Sequence, residues 1–420
     1  MPPGVPPLPG KPLPCRRHTS SPASCLDLNL LPFGNILLMH IVSIVVGLCL
    51  IFVVLLDAFE TVVLPRRIRR VFRLTSLFYR NTWRPWSRIA RLIKSPTIRE
   101  SFLGYFGPLS LIFLLALWAF GLVLAFALLH YGSGEHVQLS GEPINFWTLL
   151  YLSGETFFTL GLGDVLPMTG PERALTVLEG GMGFAFLGLV IGYLPTIYSS
   201  FSRREVEISL LDARAGSPPT AAELLVRLGT CPDGRGLDSI LQSWERWAGE
   251  VLESHISYPT LSFFRSQHSN QSWLGALTII LDTCALLMVE IEGVRNEQAE
   301  LTFAMARHAL VDLTGVFRAK YDPHSPNRLP DGELIRLRDY LKKENLRLRE
   351  GPEAEQKLKE LRLMYEPYAQ AMARTLLLDL PPWIHANRKK DNWQAGPWDR
   401  LIQAHALGEI TLPHRVKDDF

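Results

Sequence analysis

The chain has 420 residues, of which 47% are hydrophobic and 20% are charged. Its formal net charge of +2 argues against binding to nucleic acid, which calls for a strongly basic domain or surface. The five cysteines show no CxxC pair and no Cys/His spacing that fits a zinc site. This composition favours a protein that is partly embedded in a membrane and partly soluble.

The chain begins with a proline-rich segment, residues 1–33, whose composition predicts disorder. An over-long start, with Met39 as the true first residue, is the alternative interpretation. Within the next segment, 34–64, residues 36–56 are apolar and carry no charge. About 20 such residues are enough to cross a bilayer as a helix, so we predict an extra transmembrane helix here.

A basic segment, residues 65–103, separates this helix from the next apolar stretch. Between positions 65 and 94 it contains ten arginines and lysines and no acidic residue. Short basic segments beside a membrane helix are typically cytoplasmic, and this bias sets the orientation of the chain. We therefore predict a cytoplasmic loop at 65–103 and an N-terminus on the outside.

Two further stretches, 105–131 and 174–201, are long and apolar enough to span a bilayer. Residues 144–158 between them are apolar but too short to span, which predicts a helix that enters the membrane and returns. Arg203 and Arg204 are expected to mark the cytoplasmic end of the last span. The pattern predicts a multi-pass protein in the lipid bilayer of the cell (inner) membrane, with a cytoplasmic C-terminal domain.

The short helix is followed by an alternation of glycine with leucine. Glycine enters left-handed backbone conformations without a steric penalty, and such a backbone can turn successive carbonyl groups to one side. Four copies around an axis would form rings of oxygens able to replace the hydration shell of an ion. We predict an ion-selectivity filter formed by Thr159, Leu160, Gly161, Leu162, Gly163 and Asp164.

This hexapeptide resembles the pore signature of potassium channels, T-x-G-Y/F-G-D. The order of elements is similar as well, because a spanning helix and a pore helix precede the filter and a spanning helix follows it. The resemblance covers residues 100–202. It implies a homotetramer that conducts K⁺ as the permeant ion, without a cofactor. It also implies that K⁺ is bound by the backbone carbonyls of Thr159, Leu160, Gly161 and Leu162, with Asp164 at the outer mouth.

One position departs from the family pattern. Leu162 stands where the family usually has an aromatic residue that braces the filter. A Gly-Leu-Gly filter is similar to the second pore of two-pore potassium channels. The departure leaves a weakly selective cation channel open as an alternative. A non-conducting signalling or scaffold protein on a channel fold is the other alternative.

The resemblance also implies a supporting residue behind the filter. Glu155 matches a glutamate that, in a bacterial pH-gated channel, shares a proton with the aspartate at the filter end, here Asp164. Two carboxyl groups close together cannot both ionise easily, so the pKa of one of them should rise. The simpler alternative is that Glu155 only accepts hydrogen bonds from nearby backbone.

The last span contains the candidates for a gating bend, which the family places about 20 residues after the filter. Gly183 lies 20 residues after Gly163 and is the hinge candidate, with Gly188 and Pro195 as alternative bend sites. The glycines could instead serve only close packing of helices. Glu179 is an acid inside this span, and we expect it to attract cations or to bind a polar group, for example of a neighbouring subunit.

From residue 203 onward the chain is soluble in character. Its periodicity predicts helices near 235–256, 271–292, 296–319, 331–348, 352–379 and 396–406. Residues 273–289 are strongly apolar, but they are few and contain Asp282, which predicts a buried core helix instead of a fourth span. No GxGxxG pattern follows a strand, which argues against a nucleotide-binding regulatory domain.

These patterns together predict an all-α membrane protein. It combines a tetrameric potassium-channel-like pore domain, residues 104–202, with a helical cytoplasmic regulatory domain, residues 203–420. We expect the cytoplasmic domain to bind an unknown ligand and to gate the pore by pulling on the last span through residues 202–220. The sequence contains no GxSxG, HExxH or phosphate-loop motif, so we do not expect an enzyme.

Overall fold

The computed structural model describes residues 31–64, 73–134, 137–139, 144–229, 235–268, 270–292 and 296–385, together with a few single positions beyond 390. The predictions for residues 1–30, for the arginines at 66, 67, 69 and 70, and for most of the helix 396–406 lie outside these residues.

The N-terminal half consists of long helices and two short strands. They are α1 (Leu31–Ala58), which continues as a π-helical turn (Phe59–Val63), α2 (Leu74–Leu92), α3 (Pro96–Gly132), β1 (Val137–Leu139), α4 (Phe146–Phe157), β2 (Val165–Pro167) and α5 (Gly170–Ala215). Within the described chain, Leu37–Val63, Pro96–Gly132 and Gly170–Ala215 are long and apolar enough to cross a membrane. The prediction of an all-α membrane protein is confirmed, and the antiparallel pair β1–β2 is a small addition that the sequence analysis missed.

The C-terminal half is a bundle of shorter helices. They are α6 (Ala221–Gly229), α7 (Arg235–Ser257), a 3₁₀ turn (Pro259–Phe263), α8 (Trp273–Val289), α9 (Glu297–Phe317), α10 (Asp331–Lys343), α11 (Pro352–Leu363) and α12 (Glu366–Leu376). Helix α8 is buried along nearly its whole length, which confirms the predicted core helix.

The acid inside α8 has its charge partner in the same bundle. Asp282 is fully buried and accepts hydrogen bonds from Arg328 Nη2 at 2.7 Å and from the Tyr365 hydroxyl at 2.5 Å. Burial raises the pKa of Asp282, and the Arg328 guanidinium acts in the opposite direction. A buried charge without such a partner would be strongly destabilising, so this pairing explains how an apolar core helix tolerates an aspartate.

The predicted basic loop contains a helix, α2, which forms a hairpin with the first turns of α3. Its aromatic residues recur with helical spacing. Tyr79 stacks on Phe263 of the bundle with ring centroids 5.5 Å apart, and the Trp83 ring centroid lies 4.8 Å from that of Phe106 on α3. The Trp83 Nε1 also donates to the carbonyl of Thr375 at 2.9 Å. Helix α2 therefore links the first two spans to the C-terminal bundle.

The last span does not stop at its predicted end, residue 201. Helix α5 continues to Ala215 and ends at Gly216, whose φ of +87° favours glycine. Residues 202–215, part of the segment expected to connect the last span to the cytoplasmic domain, are therefore helical. The reason is tertiary packing, because the extension buries one face that includes Ile208 and Leu211 against the bundle.

Arg204 is buried against the C-terminal bundle, and its expected place at the cytoplasmic end of the last span stays a prediction. Its guanidinium donates to the carbonyls of Leu261 and Phe264, both at 2.9 Å, and to His255 Nε2 at 3.1 Å. Burial lowers the pKa of His255 well below its usual value, and the Arg204 charge lowers it further, so the ring is neutral and accepts this hydrogen bond. Arg204 thus fastens α5 to the bundle.

Helices α1 and α3 pack closely through glycines. A Cβ on Gly47 would lie 2.8 Å from the Ala125 carbonyl oxygen, and one on Gly132 would overlap Ile44. We expected Asp57 and Glu60, at the end of the first span, to form ion pairs with the arginines that follow. Glu60 does lie 3.6 Å from Arg73. Among the described residues, Asp57 accepts hydrogen bonds from Thr75 and Trp118.

Replacing Asp57 with alanine is expected to destabilise the protein strongly. The buried carboxylate accepts hydrogen bonds from Trp118 Nε1 at 3.0 Å and from the Thr75 hydroxyl at 2.6 Å. Since its removal leaves buried donors without acceptors, we expect a loss of about 3 kcal/mol. Thermal unfolding of the purified protein measures this loss. Ser43→Ala, which deletes one neutral hydrogen bond between the same helices, is the control and should cost about 1 kcal/mol. Equal losses for both variants would contradict the account.

Candidate functional site

Helix α4 occupies the position predicted for the pore helix. Its N-terminus has a reciprocal cap, in which the Asn145 side chain accepts from the Thr148 backbone and the Thr148 hydroxyl accepts from Asn145. Leu149, Leu152 and Phe157 are buried, so one apolar face is turned into the protein. The helix ends immediately before the predicted filter.

The predicted filter has an alternating backbone. Thr159, Gly161 and Gly163 have φ values of +56°, +62° and +78°, while Leu160 and Leu162 between them do not enter the positive-φ region. Gly161 and Gly163 adopt this left-handed conformation without a Cβ clash. This is the conformation that we expected from the glycines of the filter. A backbone of this kind can present successive carbonyl groups to one side, as binding of a dehydrated ion requires.

Glu155 supports this backbone directly. Its side chain is buried and its Oε2 accepts a hydrogen bond from the Leu162 backbone at 3.1 Å. Asp164 accepts from the Tyr151 hydroxyl at 3.3 Å and from the Val165 backbone at 3.2 Å. No hydrogen bond between Glu155 and Asp164 is present in the described part of the chain, although the two carboxylates interact electrostatically. Proton sharing between them stays a prediction.

Helix α5 packs against the end of the pore helix through Gly183. A Cβ at this position would overlap the carbonyl group of Phe157, whereas a Cβ on Gly188 would meet no atom of the described residues within 4 Å. Pro195 lies inside the continuous helix. The structure thus gives Gly183 a packing role, and a hinge at Gly183, Gly188 or Pro195 stays a prediction.

The opposite face of α5 is exposed and contacts no other element among the described residues. Val177, Phe184, Ile191 and Tyr198 recur every seven residues and are 74%, 72%, 64% and 70% exposed. This spacing places them on one stripe of the helix. Only 11% of the apolar part of α5 is buried, compared with 56% for α3. Large exposed apolar stripes of this kind mark contact with a further apolar surface.

Sequence reasoning missed a buried cluster beside the pore helix, which we call the His130 cluster and define as His130, Glu172 and Glu179. His130 Nδ1 lies 2.6 Å from Glu172 Oε2, and His130 Nε2 lies 3.2 Å from Glu179 Oε2. Glu179 therefore has one partner in the same chain, while its Oε1 has no hydrogen-bond partner in the described residues, so the predicted contact with a neighbouring subunit stays a prediction. Glu179, an acid inside a span, could have suggested a buried polar cluster from the sequence. Its partner, His130, is identified only by the packing of α3 against α5.

Comparison with known proteins agrees with this architecture. Residues 112–199, which contain most of α3, the pore helix, the filter and the membrane part of α5, match a family model described as "Ion channel". The chain is 22% identical over 234 residues to the uncharacterized membrane protein YdjJ of Bacillus subtilis (strain 168), a match that covers 55% of this chain and 67% of that protein. No solved structure matches the chain.

The fold and the family match define a class of protein. The chain is an all-α, multi-pass membrane protein that carries an ion-channel pore domain.

Proposed function

We propose that this protein is the subunit of a homotetrameric channel that conducts K⁺ through a filter lined by backbone carbonyls. The alternating backbone of residues 159–163 carries the proposal. In this account the carbonyls of Thr159, Leu160, Gly161 and Leu162, with the Thr159 hydroxyl at the inner site, replace the hydration shell of the ion. Asp164 lies at the outer mouth.

We expect a tetramer because one chain cannot surround an ion with carbonyl oxygens by itself. A single copy contributes one quarter of a ring of carbonyl oxygens, so closed four-fold symmetry is needed to surround an ion. Leu160 and Leu162 are 66% and 65% exposed in the single chain, and the stripe on α5 is exposed as well. Packing of neighbouring copies against these apolar side chains would bury them and support the filter from outside.

The connection between the C-terminal bundle and α5 supports a role of the bundle in gating. Helix α5 runs without interruption from the filter region into the bundle, where Arg204 is fastened to the backbone of residues 261 and 264. A ligand that shifts the bundle would therefore move the inner helix directly. The basic residues between the first two spans favour a cytoplasmic location for this bundle and an external N-terminus, in a cell membrane.

Leu162 supports a second candidate, a weakly selective cation channel. Its side chain has no aromatic ring that could contact and brace the surrounding residues. In the described part of the chain, its backbone N–H donates to Glu155. A less constrained filter would discriminate less strongly between K⁺ and Na⁺.

Ion flux from liposomes tests conduction. The purified full-length protein is reconstituted into vesicles loaded with K⁺ and diluted into K⁺-free buffer, and K⁺ efflux is followed. Vesicles loaded with Na⁺ are the parallel sample. We expect K⁺ efflux well above that of protein-free vesicles and little Na⁺ efflux. Equal efflux of both ions would favour the weakly selective channel, and no efflux would favour a non-conducting scaffold.

A further inference from the structure

The His130 cluster is buried where three helices meet. His130, on the last turn of α3, and Glu179, on α5, are fully buried, and Glu172, near the beginning of α5, is 1% exposed. Glu179 also lies near the hydroxyl of Ser153 on the pore helix, although no hydrogen bond joins the two side chains in the described part of the chain. Gly183 lies one helical turn after Glu179 and packs against the carbonyl group of Phe157. Phe157 is two residues before the filter. The cluster therefore joins α3, α5 and the back of the pore helix.

The arrangement of donors and acceptors requires an additional proton. A neutral imidazole has one N–H and one lone pair, whereas the imidazolium ion donates from both nitrogens. Both nitrogens of His130 face carboxylate oxygens, at 2.6 Å and 3.2 Å. If both acids are ionised, only the imidazolium satisfies both contacts. A neutral ring would direct its lone pair at a buried carboxylate, unless that acid were itself protonated.

The groups that face His130 in the described chain are few. They are Glu172 and Glu179 from α5, with no further ionisable side chain contributed by the pore helix. The Ser133 hydroxyl lies within reach of both Glu172 and the His130 carbonyl, to either of which it can donate its one hydrogen, and Ser133 is exposed at the surface. This surface contact gives protons a short route to the Glu172 end of the cluster. A shared proton on this cluster can therefore respond to the pH on that side of the membrane.

We infer that His130, Glu172 and Glu179 form a proton-dependent clamp that positions the pore helix behind the filter. With the shared proton present, both carboxylates are held on one imidazolium ring and α3 is fixed to α5. When the proton is lost, one carboxylate faces a lone pair, the two acids repel each other, and the contact loosens. The clamp itself follows from the geometry, whereas its effect on conduction rests on the proposed channel function.

The sign of the pH dependence follows from this proton count. The stabilising contact is present at low pH and is lost as the pH rises through the pKa of the cluster. Above that pKa the protonated fraction falls about tenfold for each pH unit. Both the thermal stability of the folded chain and the K⁺ flux should therefore decrease with rising pH on the side that Ser133 faces.

Glu179→Gln separates the proton requirement from the contact itself. The glutamine amide can donate an N–H to the lone pair of a neutral His130, so the contact survives without the additional proton. Glu172→Gln makes the same change at the other nitrogen and serves if Glu179→Gln does not fold. His40→Gln is the matched control, because His40 lies on α1 and its ring packs edge-on against Tyr131 with centroids 5.5 Å apart.

The experiment measures thermal unfolding of the purified full-length protein and K⁺ efflux from liposomes between about pH 6 and about pH 9. We expect both to fall with rising pH in the wild type and in His40→Gln, and to be nearly independent of pH in Glu179→Gln. Parallel pH profiles for the wild type and Glu179→Gln, or a flat profile for His40→Gln, would overturn the clamp. Absence of K⁺ efflux from all vesicles would contradict the channel function, while the unfolding profiles would still decide on the clamp.

Discussion

Gly183→Ala is expected to abolish K⁺ flux and to destabilise the pore domain. The added Cβ would overlap the carbonyl group of Phe157, which is backbone at the end of the pore helix and cannot turn aside as a side chain can. Overpacking in a well-packed interior typically costs about 1–3 kcal/mol, and a clash with backbone is expected to lie at or above the upper end of that range. The measurements are thermal unfolding and K⁺ efflux from liposomes.

Gly188→Ala on the same helix is the control. A Cβ there meets no atom of the described residues within 4 Å, and alanine is a better helix former than glycine by about 1 kcal/mol. We expect Gly188→Ala to unfold at the same temperature as the wild type or slightly above it. Wild-type stability and flux in Gly183→Ala would show that the contact between α5 and the pore helix is unnecessary. Altered opening in a stable Gly188→Ala would instead support the predicted alternative hinge.

Glu155→Ala is expected to shift the filter strongly toward a non-conducting state. The substitution removes the acceptor for the Leu162 backbone N–H, in a filter where the residue at position 162 has no aromatic ring to brace it. A lost hydrogen bond to a charged acceptor is worth about 1.5–3 kcal/mol, which corresponds to a change of roughly 10-fold to 150-fold in the equilibrium between conducting and inactivated filters. Single-channel recordings in planar bilayers measure this equilibrium from open and inactivated dwell times.

Glu155→Gln distinguishes the two roles predicted for this residue. The amide oxygen can still accept from Leu162, but the negative charge facing Asp164 is removed. If Glu155 acts through a shared proton with Asp164, Glu155→Gln and Asp164→Asn should change inactivation to a similar extent. If only the backbone hydrogen bond matters, Glu155→Gln should behave like the wild type. Unaltered dwell times in Glu155→Ala would contradict both roles.

The membrane architecture was predictable because it depends on local composition. Predominantly apolar stretches near the length of a bilayer predicted the spans, and the short apolar stretch between the last two predicted α4. The positions of Gly161 and Gly163 predicted a left-handed backbone, since glycine adopts positive φ without strain. Residues 273–289 are apolar but few for a membrane span, and they contain Asp282, which together predicted the buried helix α8.

The contacts that join separate elements were not predictable in this way. The pairing of His130 with Glu172 and Glu179 spans 42 and 49 residues of chain, and no spacing rule connects such positions. Helix α5 extends past residue 201 because the bundle buries one of its faces, which periodicity alone does not reveal. The position of Arg204 beside a span predicts a residue at the membrane boundary, but it does not reveal that the carbonyls of residues 261 and 264 and the neutral His255 bind its guanidinium inside the protein.

The central claim is that residues 159–163 form a K⁺-selective filter. The reversal potential of the reconstituted wild-type channel, with K⁺ on one side of a planar bilayer and the same concentration of Na⁺ on the other, tests it most directly. If the filter is selective for K⁺, we expect a current whose reversal potential is displaced strongly from zero, in the direction expected for K⁺. A reversal potential near zero, or no current at all, would contradict it.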